Sequence, residues 1–473
     1  MLNKDDRVIV IGAGPAGITA AYSLARRGVK VKVLESSDTV GGMARSLTLW
    51  GKRVDIGPHR FFSSDPRVNR FWLEAVDGEY QMVNRLTRIY YKQKFFSYPL
   101  QAFEALFKLG FFESFRCLCS FVFRQIKPKA DEKKFDAWVI NRFGDRLFGI
   151  FFKSYTEKLW GIPVGELDAE FAAQRIKKLS LWGAIKSAVL GNRGNKHRTL
   201  VDEFAYPSSG AGLVYERIQK KLEDLGGEVT FGSKVASVEK EANGFSVQLA
   251  DGTREFCNEL VSTMPITSLI SMLEAPGRVL ENAKSLRFRN TVVVYVLIEG
   301  KNPFPDQWIY VHSDQLKTGR ITNFSNWNNK LSEENTHIIC LEYWCYDEDE
   351  LWRYADNELV EIAQRDLIAS GLVNSNVIGE GKVIRVPKCY PVYKTGYREN
   401  LHSVQEFLNT IPGLHAIGRY GSFKYNNQDH SILMGLLVCE NICESANHDL
   451  WAINSDYEYQ ESSRITATGL VSE

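Results

Sequence analysis

Residues 7–11 are a short β-branched run, RVIVI, that stops at a cluster of glycines; apolar positions then recur at 18, 21, 22, 24 and 25, and a second strand-like run over 29–34 closes on Glu35. Period two, then period 3.6, then period two predicts a parallel βαβ unit. Residues 54–62 read as a strand running into a glycine turn. From about 98 to 190 the pattern becomes helical, with Phe, Leu and Trp three or four residues apart, and 191–197 is a polar loop. A helix opening at Gly210-Ala211-Gly212 runs to about 225, and strands follow over 229–231, 234–240 and 245–249, the last two joined as a hairpin around Asn243-Gly244. Residues 260–265 predict a strand and turn. The runs 289–299, 307–312, 319–324 and 337–344 predict an antiparallel sheet, and 455–473 a polar, frayed tail.

Composition narrows the class without naming it. At 473 residues, 44% hydrophobic and 24% charged, the chain is a globular protein of more than one domain. Lys plus Arg number 58 against 57 Asp plus Glu, which gives no reason to expect nucleic acid as a partner. Eight cysteines without CxxC spacing predict reduced, mostly buried thiols and no metal site. No basic and apolar leader precedes the first strand, so a cytoplasmic location is expected. The most apolar helical stretch, 103–126, carries Glu104, Lys108, Glu113, Arg116 and Arg124, which excludes a transmembrane span. A core helix is the expectation there, with a membrane-surface helix as the alternative.

The first candidate site is Gly12-Ala13-Gly14-Pro15-Ala16-Gly17 between strand and helix. Gly12 permits the tight turn, Gly14 lets backbone approach a pyrophosphate at the helix N-terminus, and Gly17 allows close helix-to-strand packing. Glu35 is placed to accept hydrogen bonds from a ribose.

Glu35, five residues, then Gly41-Gly42-Met43-Ala44-Arg45 resembles the amine oxidase and glutathione reductase-like flavoprotein superfamily, which implies FAD, with Gly42, Met43 and Arg45 along it. Later motifs resemble the UDP-galactopyranose mutase branch. Gly57-Pro58-His59-Arg60-Phe61 resembles that family's Gly-x-His-x-Phe turn, implying that Gly57, Pro58 and His59 border the flavin and that His59 tunes it. Tyr155-Thr156-Glu157-Lys158-Leu159-Trp160-Gly161 resembles a segment that places Tyr155, Thr156 and Trp160 against nucleotide and sugar. Thr318-Gly319-Arg320-Ile321 implies Arg320 as the pyrophosphate arginine. A second basic residue falls on Arg175 or Lys178, where the family has arginine. Cys389-Tyr390-Pro391-Val392 implies Tyr390 at the substrate phosphates. The segment from Gly418-Arg419 through Tyr425 to Asp429 implies Gly418 and Arg419 at the flavin and Tyr425 at the substrate. In it, Asn427 stands where the family usually has aspartate, which suggests an altered substrate. Val235, Asp429, Ser431 and Ile432 are further implied cofactor contacts, the last two on a helix opening near His430.

The resemblance thus implies an α/β fold. A Rossmann-like FAD domain assembled from 1–95, 200–275 and 385–450 carries a helical substrate domain, 96–199, and an antiparallel-sheet substrate domain, 276–384. The implied chemistry is a pyranose/furanose mutase acting on a nucleotide sugar, used for surface polysaccharide precursors. In it reduced flavin attacks the anomeric carbon, the diphosphate leaves and the ring recloses in the other size, with NAD(P)H or another reductant supplying the electrons. His59, Arg320 and Tyr425 carry it. The alternative is an FAD-dependent oxidoreductase of the amine oxidase or protoporphyrinogen oxidase type.

Overall fold

The computed structural model describes residues 6–169, 203–328, 331, 335–454, 464–466 and 469–471. Its centre is a five-stranded parallel sheet in the order Leu414–Ala416, Glu259–Ser262, Arg7–Ile11, Lys30–Leu34, Glu228–Thr230. Val8, Ile9 and Val10 are fully buried, as strands covered on both faces must be. Helix Pro15–Ala25 packs on this sheet, and helix Gln428–Glu444 crosses it where Gly435 leaves room: a Cβ there would lie 2.6 Å from the Ala16 carbonyl oxygen.

A seven-stranded sheet lies in the order Ile378–Pro391, Phe288–Glu299, Thr336–Cys345, Arg320–Asn323, Trp308–Val311, Thr87–Tyr91, Lys94–Ser97. It is antiparallel except where Trp308–Val311 runs parallel to Thr87–Tyr91. Residues 87–95 and 385–391 therefore pair into this sheet and not into the parallel one. A third sheet, Val235–Glu241, Gly244–Leu249 and Arg254–Cys257, contains the expected hairpin. Strand Tyr80–Asn84, in a stretch where no strand was expected, pairs with Glu203–Pro207. Part of the expected tail, 464–466 with 469–471, pairs as a hairpin.

The helical stretch comprises Ala102–Leu109, Phe111–Ile126, Phe135–Phe148 and Ser154–Trp160; its predicted continuation to 190 lies outside the described residues. The core expected of 103–126 is not what forms: only Cys117 and Phe121 of the Phe111–Ile126 helix are buried, and its larger apolar face points to solvent. No helix among the described residues is long and apolar enough to cross a membrane. The eight cysteines are free thiols, Cys119 exposed and Cys443 half-buried.

One buried carboxylate ties the sheets to the site. Asp55 is paired across a hairpin with Ser46, whose hydroxyl donates to it at 2.6 Å; the Tyr206 hydroxyl donates at 2.8 Å and the Ala211 amide at 3.0 Å. Burial pushes this carboxyl up to about 6, against the opposing hydrogen bonds. A raised carboxyl pKa means that the native state keeps a proton that the unfolded chain releases. Stability therefore falls as pH rises from the ordinary value of 3.8 to about 6, by up to about 3 kcal/mol from this residue. Subtracting the Tm-versus-pH curve of Asp55→Asn from that of the wild type is expected to expose this slope; parallel curves would refute it.

Candidate active site

The carboxyl ends of the parallel strands open into a cavity of about 950 Å³ that reaches across to the seven-stranded sheet. Ligands of open α/β sheets collect at such strand ends. The glycine loop forms one wall: Gly12, Gly14, Pro15 and Ala16 line it, with Gly42, Met43 and Arg45 opposite. Gly12 and Gly42 have φ of +94° and +53°, and a Cβ on Gly42 would sit 3.0 Å from the Gly14 Cα, so two strips of bare backbone face each other. Helix Pro15–Ala25 starts at Gly14 with no side-chain cap, leaving its N-terminal amides for an anion. Glu35 lines the same end, and its carboxylate braces the loop by accepting the Ala13 amide at 2.7 Å and the Ser37 amide at 2.8 Å. Arg45 donates to the Gly42 carbonyl at 3.1 Å. Val235, Gly418 and Ser431 complete this end. An elongated dinucleotide fits these donors and this exposed backbone.

Pro58 and His59 line the middle of the cavity. The Gly57 carbonyl lies 3.1 Å from His59 Nδ1. Withdrawal from solvent pushes the imidazole down to about 4, with Arg320 and Arg419 adding to the shift against the Gly57 hydrogen bond. His59 is therefore neutral at physiological pH. Gln428 fastens this turn to helix Gln428–Glu444, donating to the His59 carbonyl at 3.4 Å while accepting from the Tyr215 hydroxyl at 2.6 Å.

At the far end stand Arg320, Tyr155, Thr156, Tyr390, Tyr425, Asn427 and Arg419. Strand register places Arg320 directly opposite Glu342. Its Nε donates to Glu342 Oε1 at 2.5 Å and its Nη2 to Oε2, a fork-to-fork pair, with the Tyr390 hydroxyl 3.4 Å from Nη2. Glu342 is 3% exposed; burial opposes the arginine's charge, and this carboxylate holds it protonated. Glu342 also lies under the glycine turn, since a Cβ on Gly57 would fall 3.0 Å from Oε1. Arg419 sits over the rings of Tyr425 and Tyr390, at 4.3 and 4.8 Å, and donates to the Cys389 and Asn426 carbonyls. Tyr155 stacks on His312 at 4.8 Å and meets Tyr310 and Trp344 edge-on. Asn427 caps helix Gln428–Glu444, which begins two residues before the expected His430, and does so without the charge of an aspartate.

Five expected contacts do not line the cavity. Gly17 is in the helix, where a Cβ would meet the Gly12 carbonyl oxygen at 1.9 Å; Gly57 is covered by Glu342; Asp429 and Ile432 lie outside the lining. Trp160 is fully buried behind the tyrosines, stacked on Tyr393 at 6.0 Å, so its role is to support the wall. Arg175 and Lys178 lie outside the described residues. Lining residues that motif reading missed are Glu342, His312, Trp344, Lys388, Arg60 and Gln428. Of these, Glu342 had a signal: it is a lone acid within the apolar run HIICLEYWC, and a charge in such a strand needs a buried partner. An apolar stretch of the wall, formed by Ile89, Leu100, Phe135, Phe151 and Phe152, was also unforeseen.

The family described as flavin containing amine oxidoreductase matches residues 15–385. A solved structure of reduced UDP-galactopyranose mutase superposes with a TM-score of 0.83 at 23% identity, over 95% of this chain and 98% of that one. A Klebsiella pneumoniae protein named "Probable UDP-galactopyranose mutase" is 28% identical over 179 residues, 36% of this chain and 44% of its own length. The lycopene-forming phytoene desaturase of Pantoea ananas is 24% identical over 334 residues, 63% of this chain and 64% of its own. The chain thus spans less than two thirds of the length of these curated relatives. The structural likeness is one of fold.

Proposed function

The chain belongs to the family of flavin-containing amine oxidoreductases, and from that premise we propose that it binds FAD along the glycine cradle and acts as a nucleotide-sugar pyranose/furanose mutase. The observation that carries the reading is the far end of the cavity, where Tyr155, Tyr390 and Tyr425 gather around the guanidinium groups of Arg320 and Arg419. Aromatic faces suit a nucleobase and a sugar face, and the two cations suit a departing diphosphate. Reduced flavin, when bound, supplies a nucleophilic nitrogen for an anomeric carbon. The chain's own part is to hold the nucleotide, balance the diphosphate charge and keep a neutral imidazole at the ring. NAD(P)H or another reductant would maintain the reduced state, and a place in polysaccharide precursor synthesis follows from such a product.

A second reading is an oxidoreductase acting on an apolar substrate. It is favoured by the wall of Ile89, Leu100, Phe135, Phe151 and Phe152, and by the alignment to a phytoene desaturase. Incubating the protein, oxidised and separately dithionite-reduced under anaerobic conditions, with UDP- and dTDP-hexoses tests the two. A product of unchanged mass from the reduced protein alone supports the mutase. No isomer from any donor, with flavin bleaching by an amine, a cyclic or a polyene substrate, supports the oxidoreductase.

His59→Ala is expected to leave the flavin bound, read as an unchanged ratio of visible to ultraviolet absorbance, while turnover slows by about 10- to 100-fold. Because the imidazole titrates near 4, the wild-type profile should show no His59 inflection between pH 6 and 7. Flavin loss or full activity in the variant would each remove the role.

A further inference from the structure

We propose that helices Ala102–Leu109 and Phe111–Ile126 form a docking surface for an anionic lipid bilayer. On the second helix Phe111, Phe112, Phe115, Leu118, Cys119, Val122, Phe123 and Ile126 fall within about 140° of helical arc, opposite the buried Cys117 and Phe121. Phe111, Phe112 and Ile126 are 81%, 84% and 79% exposed, and Phe107 on the preceding helix is 87% exposed. A scattered exposed phenylalanine needs no explanation; this many on one face is a contiguous apolar surface.

The charge around the face selects the occupant. Residues 92–134 carry nine Lys or Arg against four Asp or Glu, a local excess of +5 in a chain whose net charge is +1. All four of those acids are engaged, Glu104 by Lys108, Glu113 by Arg146, Asp131 by Lys134 and Glu132 by Arg142, and Arg124 and Lys129 pair with Asp145 and Asp136, while Arg116 and Lys127 stand exposed at the borders of the apolar face. Large apolar side chains ringed by basic ones match a leaflet whose headgroups are anionic and whose acyl layer accepts the phenyl groups. A self-association face gains nothing from a net positive rim, because two copies would bring like charges together. The helices are too short and too charged to span, so they lie in the interface plane. Leu100, just before the first helix, lines the cavity, whereas no residue of the apolar face does. This inference is independent of which flavin chemistry the cavity performs.

The test is co-sedimentation of the full-length holoprotein with vesicles of mixed phosphatidylglycerol and phosphatidylcholine, and of phosphatidylcholine alone. Binding is expected to the anionic vesicles, to weaken roughly tenfold on neutral ones and to fall with added salt. Phe111→Ser/Phe112→Ser/Phe115→Ser should weaken it by about tenfold or more, with unchanged flavin absorbance and Tm reporting an intact fold. An environment-sensitive dye on Cys119, on the same face, probes the wild-type protein without those substitutions; its emission should shift to the blue on anionic vesicles. No co-sedimentation, equal binding by the triple variant or an unshifted dye would overturn the proposal. A stable dimer that the triple variant dissociates, without vesicle binding, would assign the face to a second copy.

Discussion

Glu342→Leu with Arg320 retained is expected to lower the free energy of unfolding by about 3–5 kcal/mol, because it leaves a guanidinium in the protein interior without its counter-charge. The side chains of Arg320 and Glu342 are 13% and 3% exposed, and they bond fork to fork across adjacent strands. Arg320→Ala is expected to cost stability in the same way, and to weaken UDP binding by about 2–5 kcal/mol if this guanidinium meets a desolvated phosphate. The double variant Arg320→Met/Glu342→Leu separates the two effects. Replacing both charges by apolar groups of similar size should recover most of the stability, while turnover stays down by about 10² to 10³, because only Arg419 is left of the two cations proposed for the diphosphate. Urea unfolding and UDP titration calorimetry read the two quantities. Wild-type stability in Glu342→Leu would remove the buried-pair argument, and unchanged UDP affinity in Arg320→Ala would remove the substrate role without touching the structural one.

Gly17→Ala should strip the protein of flavin. The added methyl would lie 1.9 Å from the Gly12 carbonyl oxygen and 3.3 Å from Thr263 Cγ2, and the first of these is main chain that cannot rotate away. Helix Pro15–Ala25 and the Gly12 turn must then move apart, which displaces the amides that face the cavity. A cost of about 3 kcal/mol is the upper range for overpacking by one methyl, and if it falls on the cradle, flavin affinity drops by about two orders of magnitude. Gly277→Ala is the control, because nothing lies within 4 Å of its Cβ position; it should change stability by less than about 0.5 kcal/mol. Flavin content after purification and the dissociation constant on reconstitution decide it. Full flavin occupancy in Gly17→Ala would show that the turn adapts.

The glycine-loop end of the cavity was legible because its information is local. Strand, glycine turn, helix, strand and acid lie within residues 7–35, and each residue's role follows from its neighbours along the chain: Gly12 from its positive φ, Gly17 from contact with Gly12, Glu35 from the end of the second strand. The hairpin at 244 and the strand at Glu259–Ser262 were legible for the same reason. The long strand Ile378–Pro391 was not; its charges and glycines break the period-two pattern, and only pairing along Phe288–Glu299 makes it a strand.

What the sequence determined by itself is therefore the βαβ unit, the glycine cradle and the residue types at the far wall. What only the tertiary structure decided is their partnership. Arg320 reads as a free phosphate ligand until strand register sets Glu342 against it, and the surroundings of Tyr155 are unread until His312 and Trp344 of the seven-stranded sheet meet it from across the chain. Likewise, Trp160 reads as a substrate contact until packing places it behind Tyr390 and Tyr425. The apolar positions of 111–126 specify a helix with one oily face, but not whether that face turns inward. That choice depends on which helices compete for the interior, and here Cys117 and Phe121 take the inner side while the phenylalanines remain outside. Hydrophobic periodicity fixes a helix's faces because it is a property of neighbouring residues; the partner of each face is set by contacts between residues far apart in the chain, which no local pattern encodes.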